Sequence, residues 1–417
     1  MPVFTVFARS RASAIFFPGK ALDISFDTGG GKTRLVYRTE YRSGFDAPLP
    51  TDFCVEVNGE ANGIDEAVQK FHQLALDAAL IIAFVVNADL GHLEVELAFD
   101  SSPNLVEHAF LQTFIPDRPI LHIPGRPIDP DAVNKFQALL VGHKERDRLQ
   151  RAIVQYCEAL RRWTAGNGLI CLGHLYMGVD ALTKAVLRDH LAKNGKTEND
   201  LLVEWDIDIK RLDGEVRLRF IFDGDKVCFQ AAKQISDTFE HGYDDFAKLR
   251  QPAAQIVVKV ARYLRRAIIM LAGASPELSE QLLTGTYGGA RGPFTLVKKL
   301  RGTLVGTLDK LAQDGKPHPR FDWQSSVKRV ILDENGIYGF DPEETMTGRF
   351  GDGTVLRDGS YEIWDNQLVD PKTVVEANAG VPVLPISVVR HAAEPEAPTS
   401  RGLVQRIADF FRQHLRL

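Results

Sequence analysis

Residues 169–191 are apolar almost all the way round a helix, with Leu172, Leu175, Val179, Leu182 and Val186 at helical spacing. A helix without a polar face has to be enclosed by other elements, so this segment dictates the buried centre of a helical bundle. The few polar groups on it then need partners, because an unsatisfied core polar group costs about 1–3 kcal/mol. Tyr176, Asp180 and Lys184 recur every four residues, so they satisfy one another or pair with Arg151 of the preceding helix. His174 reads as a satisfied core histidine.

The surrounding helices can be read on both sides. Asp129 caps a helical region in which Leu149, Ile153, Tyr156 and Leu160 share one face, while Arg148, Arg151, Arg161 and Arg162 lie largely elsewhere. A helix over about 227–240 ends at His241-Gly242, where a cationic His suits the negative end of the dipole and Gly tolerates the left-handed cap. Another starts near Pro252 and runs to Leu271, burying Val257, Val260, Leu264 and Ile268. Between these helices the period changes to two. Val203, Trp205, Ile207 and Ile209 oppose Val216, Leu218, Phe220 and Phe222 across Asp213-Gly214, which predicts an inserted β-hairpin.

The chain as a whole reads as α+β. Residues 1–125 form a small α+β domain, with strand-like alternation at 22–26, 34–38 and 93–99 and a helix over about 64–85. Gly29-Gly30-Gly31-Lys32-Thr33 lacks the first glycine of a phosphate loop, Phe26 standing in its place, so the glycines make a hairpin turn. Pro116, Pro119, Pro124, Pro127 and Pro130 punctuate an extended connector to the bundle, residues 126–273. Residues 274–390 read as a mixed α/β extension, with an amphipathic helix over about 294–311 and strand-like sequence after it. Residues 391–399 are a Glu, Pro and Ala linker.

The last segment, residues 400–417, sets Leu403, Ile407, Phe410, Phe411 and Leu415 against Arg401, Arg406, Arg412 and Arg416. Such an amphipathic helix suits docking on its own domain or on a partner protein better than insertion into lipid.

Composition excludes more than it assigns. At 417 residues, 44% of them apolar and 25% charged, the chain can bury a substantial core. A formal charge of -5 gives no whole-chain attraction to polyphosphate, so nucleic acid would need a local basic face. Cys54, Cys157, Cys171 and Cys228 form no Cys-x-x-Cys pair and read as buried thiols. The apolar run at 78–86 is far shorter than the roughly 20 residues needed to span a bilayer. The expectation is a cytoplasmic protein with no membrane span and no cofactor.

Candidate chemistry gathers at residues 236–246, Ser-Asp-Thr-Phe-Glu-His-Gly-Tyr-Asp-Asp-Phe. Glu240, His241, Asp244 and Asp245 are the candidate catalytic set, since imidazole and carboxylate can share proton transfer or a divalent ion. The competing reading makes His241 a helix-end residue and Asp244 or Asp245 the cap of the next helix. Lys259, Arg262 and Arg266, at spacings of three and four, form a basic stripe as the candidate nucleic-acid contact or as a solvated face.

The helix Gly173-His174-Leu175-Tyr176-Met177-Gly178-Val179-Asp180-Ala181-Leu182, followed by a Glu-His-Gly helix end, resembles the HEPN superfamily of bacterial four-helix bundles. Within it, the chain is similar to uncharacterised HEPN-like proteins named J-type after methylamine-utilisation clusters. Ala152-Ile153-Val154-Gln155-Tyr156-Cys157-Glu158-Ala159-Leu160-Arg161-Arg162-Trp163 and Phe222-Asp223-Gly224-Asp225 carry the same resemblance, which covers residues 126–273. It implies a homodimer formed through the bundle. For many members it also implies metal-independent RNA cleavage by an Arg followed, after four to six intervening residues, by a His. Ahead of His241 the permitted places hold Ser236, Ile235 and Gln234, and none of the eleven histidines has an Arg at such a spacing. The expected function is therefore a non-catalytic binding or assembly module. The alternative is an RNA-binding protein, ribonuclease or metal-assisted hydrolase centred on His241.

Overall fold

In the computed structural model, residues 1–27, 31–103, 106–114, 125–242, 245–293, 296–307, 311–313, 318–332, 338–365, 367–368 and 384–385 are described. The architecture is α+β. Side chains alternate along β1 (Val3–Ser10), the short β2 (Ala14–Ile15), β3 (Leu22–Asp27), β4 (Lys32–Arg42) and β5 (Leu49–Glu60). α1 (Ile64–Val86), β6 (Glu94–Asp100) and β7 (Phe110–Gln112) follow. The six-stranded sheet has the order β3-β4-β5-β1-β6-β7 and its described pairings are antiparallel. Phe4, Val6, Leu35, Tyr37, Val55 and Val57 turn inward and are buried in one cluster with Phe71, Ala75 and Ile82 of α1. Gly29 and Gly30 lie outside the described residues, but Asp27 pairs with Lys32 across that turn.

β8 (Arg126–Pro127) pairs in parallel with β2 and leads into α2 (Pro130–Val141), where Asp129 accepts the Asp131 backbone N–H as the cap. Pro116, Pro119 and Pro124 lie outside the described residues. α3 (Arg146–Arg161) and α4 (Gly168–Asn194) pack together, and α4 is enclosed further by α7 (Lys226–His241) and α8 (Phe246–Leu271), each of which follows α5 (Glu198–Trp205) and α6 (Ile209–Val216) in the chain. Two glycines let α4 into this space: a Cβ at Gly178 would sit 2.7 Å from Leu264 Cδ2, and one at Gly173 3.1 Å from the Phe239 ring. α1 and α4 are long and apolar enough to cross a bilayer by length and composition. α1 packs against the sheet and α3, and α4 against α3, α7 and α8. α9 (Pro276–Leu283) and a short 3-10 turn, Gly285–Tyr287, complete the helical part.

The expected hairpin at 203–222 is not formed. α5, α6 and a single π-helical turn, Arg217–Ile221, occupy that segment. Local capping decides it: Thr197 and Asp200 make a reciprocal capping box at the start of α5, and Asp208 accepts the Lys210 and Arg211 N–H groups at the start of α6. The inward residues Leu212, Val216 and Phe220 then follow a four-residue spacing, leaving Val203 and Ile209 outside.

The helix expected over 294–311 is also replaced. Residues Leu296–Val305 form β9, which pairs antiparallel with β12 (Val355–Asp365), while β10 (Arg320–Leu332) pairs with β11 (Tyr338–Arg349). Gly302 and Gly306 weaken a helix here and admit close strand approach, since a Cβ at Gly302 would lie 2.7 Å from Leu356 and one at Gly306 2.6 Å from Thr354. β13 (Leu384–Pro385) adds to the edge of β12. The linker and terminal segment at 391–417 lie outside the described residues.

One apolar cluster runs from Phe4 of the sheet to Leu282 of α9, so sheet and bundle share a core. Its fastening is unusual, because the open carbonyls at the end of α1 are met by arginines. Arg265, 2% exposed, donates to the carbonyls of Phe84, Val85 and Leu282, with its guanidinium carbon 4.8 Å from the Phe84 ring centre. Arg126 Nη1 donates to Val86, Asn87 and Gly289 carbonyls at 2.7–2.8 Å. A guanidinium is suited to this place because it complements the negative helix end and supplies several donors at once.

Candidate functional site

The α7–α8 turn is built by helix-end chemistry. Gly242 takes the left-handed conformation, φ 66°, at the end of α7, and its N–H bonds the Thr238 carbonyl. His241 is the last residue of α7 and is exposed. Glu240, also exposed, accepts the Ser236 hydroxyl at 2.9 Å, one turn back on the same helix. Asp245 caps α8 by accepting the Ala247 N–H at 3.0 Å. Its helix therefore begins at Phe246 and carries Pro252 within it, where the sequence had suggested a start near Pro252. Asp244 lies outside the described residues. Among the described residues no group of three or more His, Cys, Asp or Glu is arranged to hold a metal ion.

The basic stripe on α8 is largely neutralised. Lys259 Nζ lies 2.7 Å from Asp225, and Arg266 Nη1 2.6 Å from Asp223. Both carboxylates sit on the tight turn ahead of α7, where Asp223 and Gly224 have φ values of 55° and 77°. Asp225 also caps α7 through the Cys228 N–H and accepts the Tyr263 hydroxyl at 3.0 Å. Its pKa is lowered by that backbone bond first and by Lys259 next. Arg262 is exposed.

A second polar group, centred on the π-helical turn, was not legible beforehand. Arg217 Nε donates to Thr183 Oγ1 at 3.0 Å, its Nη2 lies 3.1 Å from Asp180, and its Nη1 lies 3.5 Å from the Tyr176 hydroxyl. Arg217 therefore satisfies the polar ladder of α4, together with Asp213, which takes Lys184 at 2.8 Å. The predicted partner, Arg151, is not in that set. Burial raises the Asp180 pKa; Arg217 opposes this, while the like charges of Glu240, Asp237 and Asp213 reinforce it. The Tyr176 hydroxyl is pushed up to about 12, chiefly by burial.

The remaining candidates have structural roles. His174 Nδ1 lies 2.9 Å from Gln155 Oε1, and partial burial lowers its pKa. All four cysteines are free and buried, and burial pushes the thiols of Cys157 and Cys171 up to about 12, which removes thiolate character at neutral pH.

Glu240 thus belongs to two settings: its own helix turn, through Ser236, and the acidic surroundings of Asp180. His241 and Asp245 belong to helix ends. Comparison with protein-family models, curated proteins and solved structures gave no match to this chain.

Proposed function

We propose that the chain is a HEPN-like helical protein acting as a non-catalytic binding or assembly module, paired with a second copy through its bundle. The observation that carries this reading is the local commitment of the candidate catalytic carboxylates. Glu240 is held by Ser236 within α7, and Asp245 caps α8. A nuclease without metal also needs a cation beside its histidine to take phosphate charge. Lys259 and Arg266 of the α8 stripe are engaged by Asp225 and Asp223, at the opposite end of α7 from His241.

Single-stranded RNA incubated with the purified chain in EDTA should remain intact, with wild type and His241→Ala indistinguishable, and light scattering should give twice the monomer mass. Cleavage that disappears in His241→Ala sinks the non-catalytic reading, and a monomer at micromolar concentration sinks the assembly reading. The exposed Arg262 favours a second reading, RNA binding without cleavage. In that case affinity falls steeply with salt and weakens in Arg262→Ala.

A further inference from the structure

The carboxyl-terminal half of α4 leaves the main core and enters a separate one. Leu187 of α4, Leu201 of α5, and Leu212 and Val216 of α6 form their own buried cluster, lined by Trp205, Ile207 and Phe220. The segment that builds it is bounded by left-handed residues, Gly195 (φ 60°) at the end of α4 and Asp223 (φ 55°) after the π-helical turn. Ile221 and Phe222 return the chain to the main core. Between these anchors, Arg217 of the π-helical turn is bonded to Thr183 and Asp180 in the middle of α4, and Asp213 of α6 pairs with Lys184.

We propose that α5 and α6 form a strap that opens as a unit from α4, hinged at the π-helical turn, with Arg217 of that turn as its latch. The strap has what a sub-global opening unit needs: an apolar cluster of its own, residues at both ends that tolerate backbone change, and a small set of polar fastenings to α4, Arg217 with Asp180 and Thr183 and Lys184 with Asp213.

The latch is also unbalanced in charge. Asp180 on α4 faces Arg217 from the π-helical turn, Asp237 and Glu240 from α7, and Asp213 from α6, the last paired with Lys184 of α4. Tyr176, neutral at physiological pH, closes the other side. With the Lys184–Asp213 pair set aside, Asp180 has Arg217 as its ion-pair partner and the like charges of Glu240 and Asp237 beside it. The direction of the pH effect follows from linkage. A carboxyl that binds its proton more tightly in the closed state favours closure as the pH falls, so the strap is tighter in mild acid and looser at neutral pH.

Amide hydrogen exchange on the full chain, corrected for intrinsic rates, tests this. Amides at 198–216 should exchange faster than those of α3 through an opening that leaves α3 protected. Arg217→Met should speed exchange at 198–216 by about tenfold, the equivalent of one charge-assisted hydrogen bond, and leave α3 unchanged. Asp180→Asn should slow it and flatten its pH dependence. Arg217→Lys keeps the charge and loses the fork, so it should fall between wild type and Met, which guards against a misfolded Met variant. The proposal is overturned if 198–216 and α3 exchange in step in the wild type, or if Asp180→Asn speeds opening.

Discussion

The two halves of α4 sit in cores of different kinds. The amino-terminal half lies in the large cluster that includes the sheet, α1, α3 and α8, fastened by guanidinium groups buried against backbone carbonyls. From Leu187 onward the helix is covered by α5 and α6, and these are fastened to the middle of α4 by a guanidinium against side-chain oxygens, Asp180 and Thr183. Carbonyls do not titrate, so the first fastening holds over any pH at which arginine stays charged. The second involves carboxylates and responds to pH. One helix therefore joins a part that should unfold only with the whole molecule to a part able to open alone.

The most damaging single change should be Arg265→Met. The methionine fills part of the volume but strands the Val85 and Leu282 carbonyls in the core, while the Phe84 carbonyl keeps only the Asn87 N–H. Each stranded acceptor costs about 1–3 kcal/mol, and relief of guanidinium desolvation offsets part of the sum. A loss of about 3–5 kcal/mol is expected in urea denaturation. The α5–α6 region should melt in the same transition, because α4 threads both cores. A loss below 1 kcal/mol, on the order of an exposed-site change, contradicts the fastening role.

Asp89 gives the main core its own titration. It is 5% exposed, and burial pushes its carboxyl up to about 6 against a bonding contribution from the Gly91 N–H. Arg161 and Glu158 act on it with opposite sign. Since the folded value lies above the ordinary carboxylate value, stability from this group is complete below about pH 4 and is lost as the pH rises through 6. About two pKa units correspond to roughly 3 kcal/mol at neutral pH. Asp89→Asn keeps an acceptor for Gly91 and removes the charge, so it should be more stable than wild type at pH 7 and show no such decline. Denaturation curves for both proteins at pH 4.5 and 7 measure it; a variant less stable at pH 7 refutes the assignment.

Leu212→Ala addresses the smaller core. Leu212 is buried at 1% exposure, and its truncation should cost about 2–4 kcal/mol locally. Exchange protection at 198–216 should drop by that amount, whereas the global transition loses no more than the strap's own stability. Equal losses in both measurements mean that the two cores form one cooperative unit.

These regions also differ in how far sequence reveals them. The buried face of α4 was plain, because Leu172, Leu175, Val179 and Leu182 repeat at helical spacing and nothing polar competes. The end of α7 was readable for a local reason: His241-Gly242 has a helix-end signature and takes the left-handed cap. Arg217 was hidden, since it lies 34 residues from Thr183 and its role depends on a π-helical turn inside a segment whose alternation suggested strands. The neutralised stripe was hidden for the same reason, Lys259 and Asp225 being 34 residues apart. The 203–222 segment differs again: the Thr197–Asp200 capping box and the Asp208 cap are both written in the sequence, and these helix-start signals outweigh its period-two alternation.

Val203→Ser carries the smallest expected effect and separates the two readings of that segment cleanly. On a buried hairpin face, exchanging valine for serine removes apolar burial and strands a hydroxyl, a loss of about 1.5–3 kcal/mol. On α5, Val203 is 83% exposed and contributes nothing to the Leu201, Leu212 and Val216 cluster. Valine and serine have similar helix propensities, so the expected change is within about 0.5 kcal/mol by urea denaturation. Because the position is exposed in the helix and buried in the hairpin, a near-zero result at Val203 beside a large one at Leu212 fixes the four-residue periodicity of the strap by energetics alone.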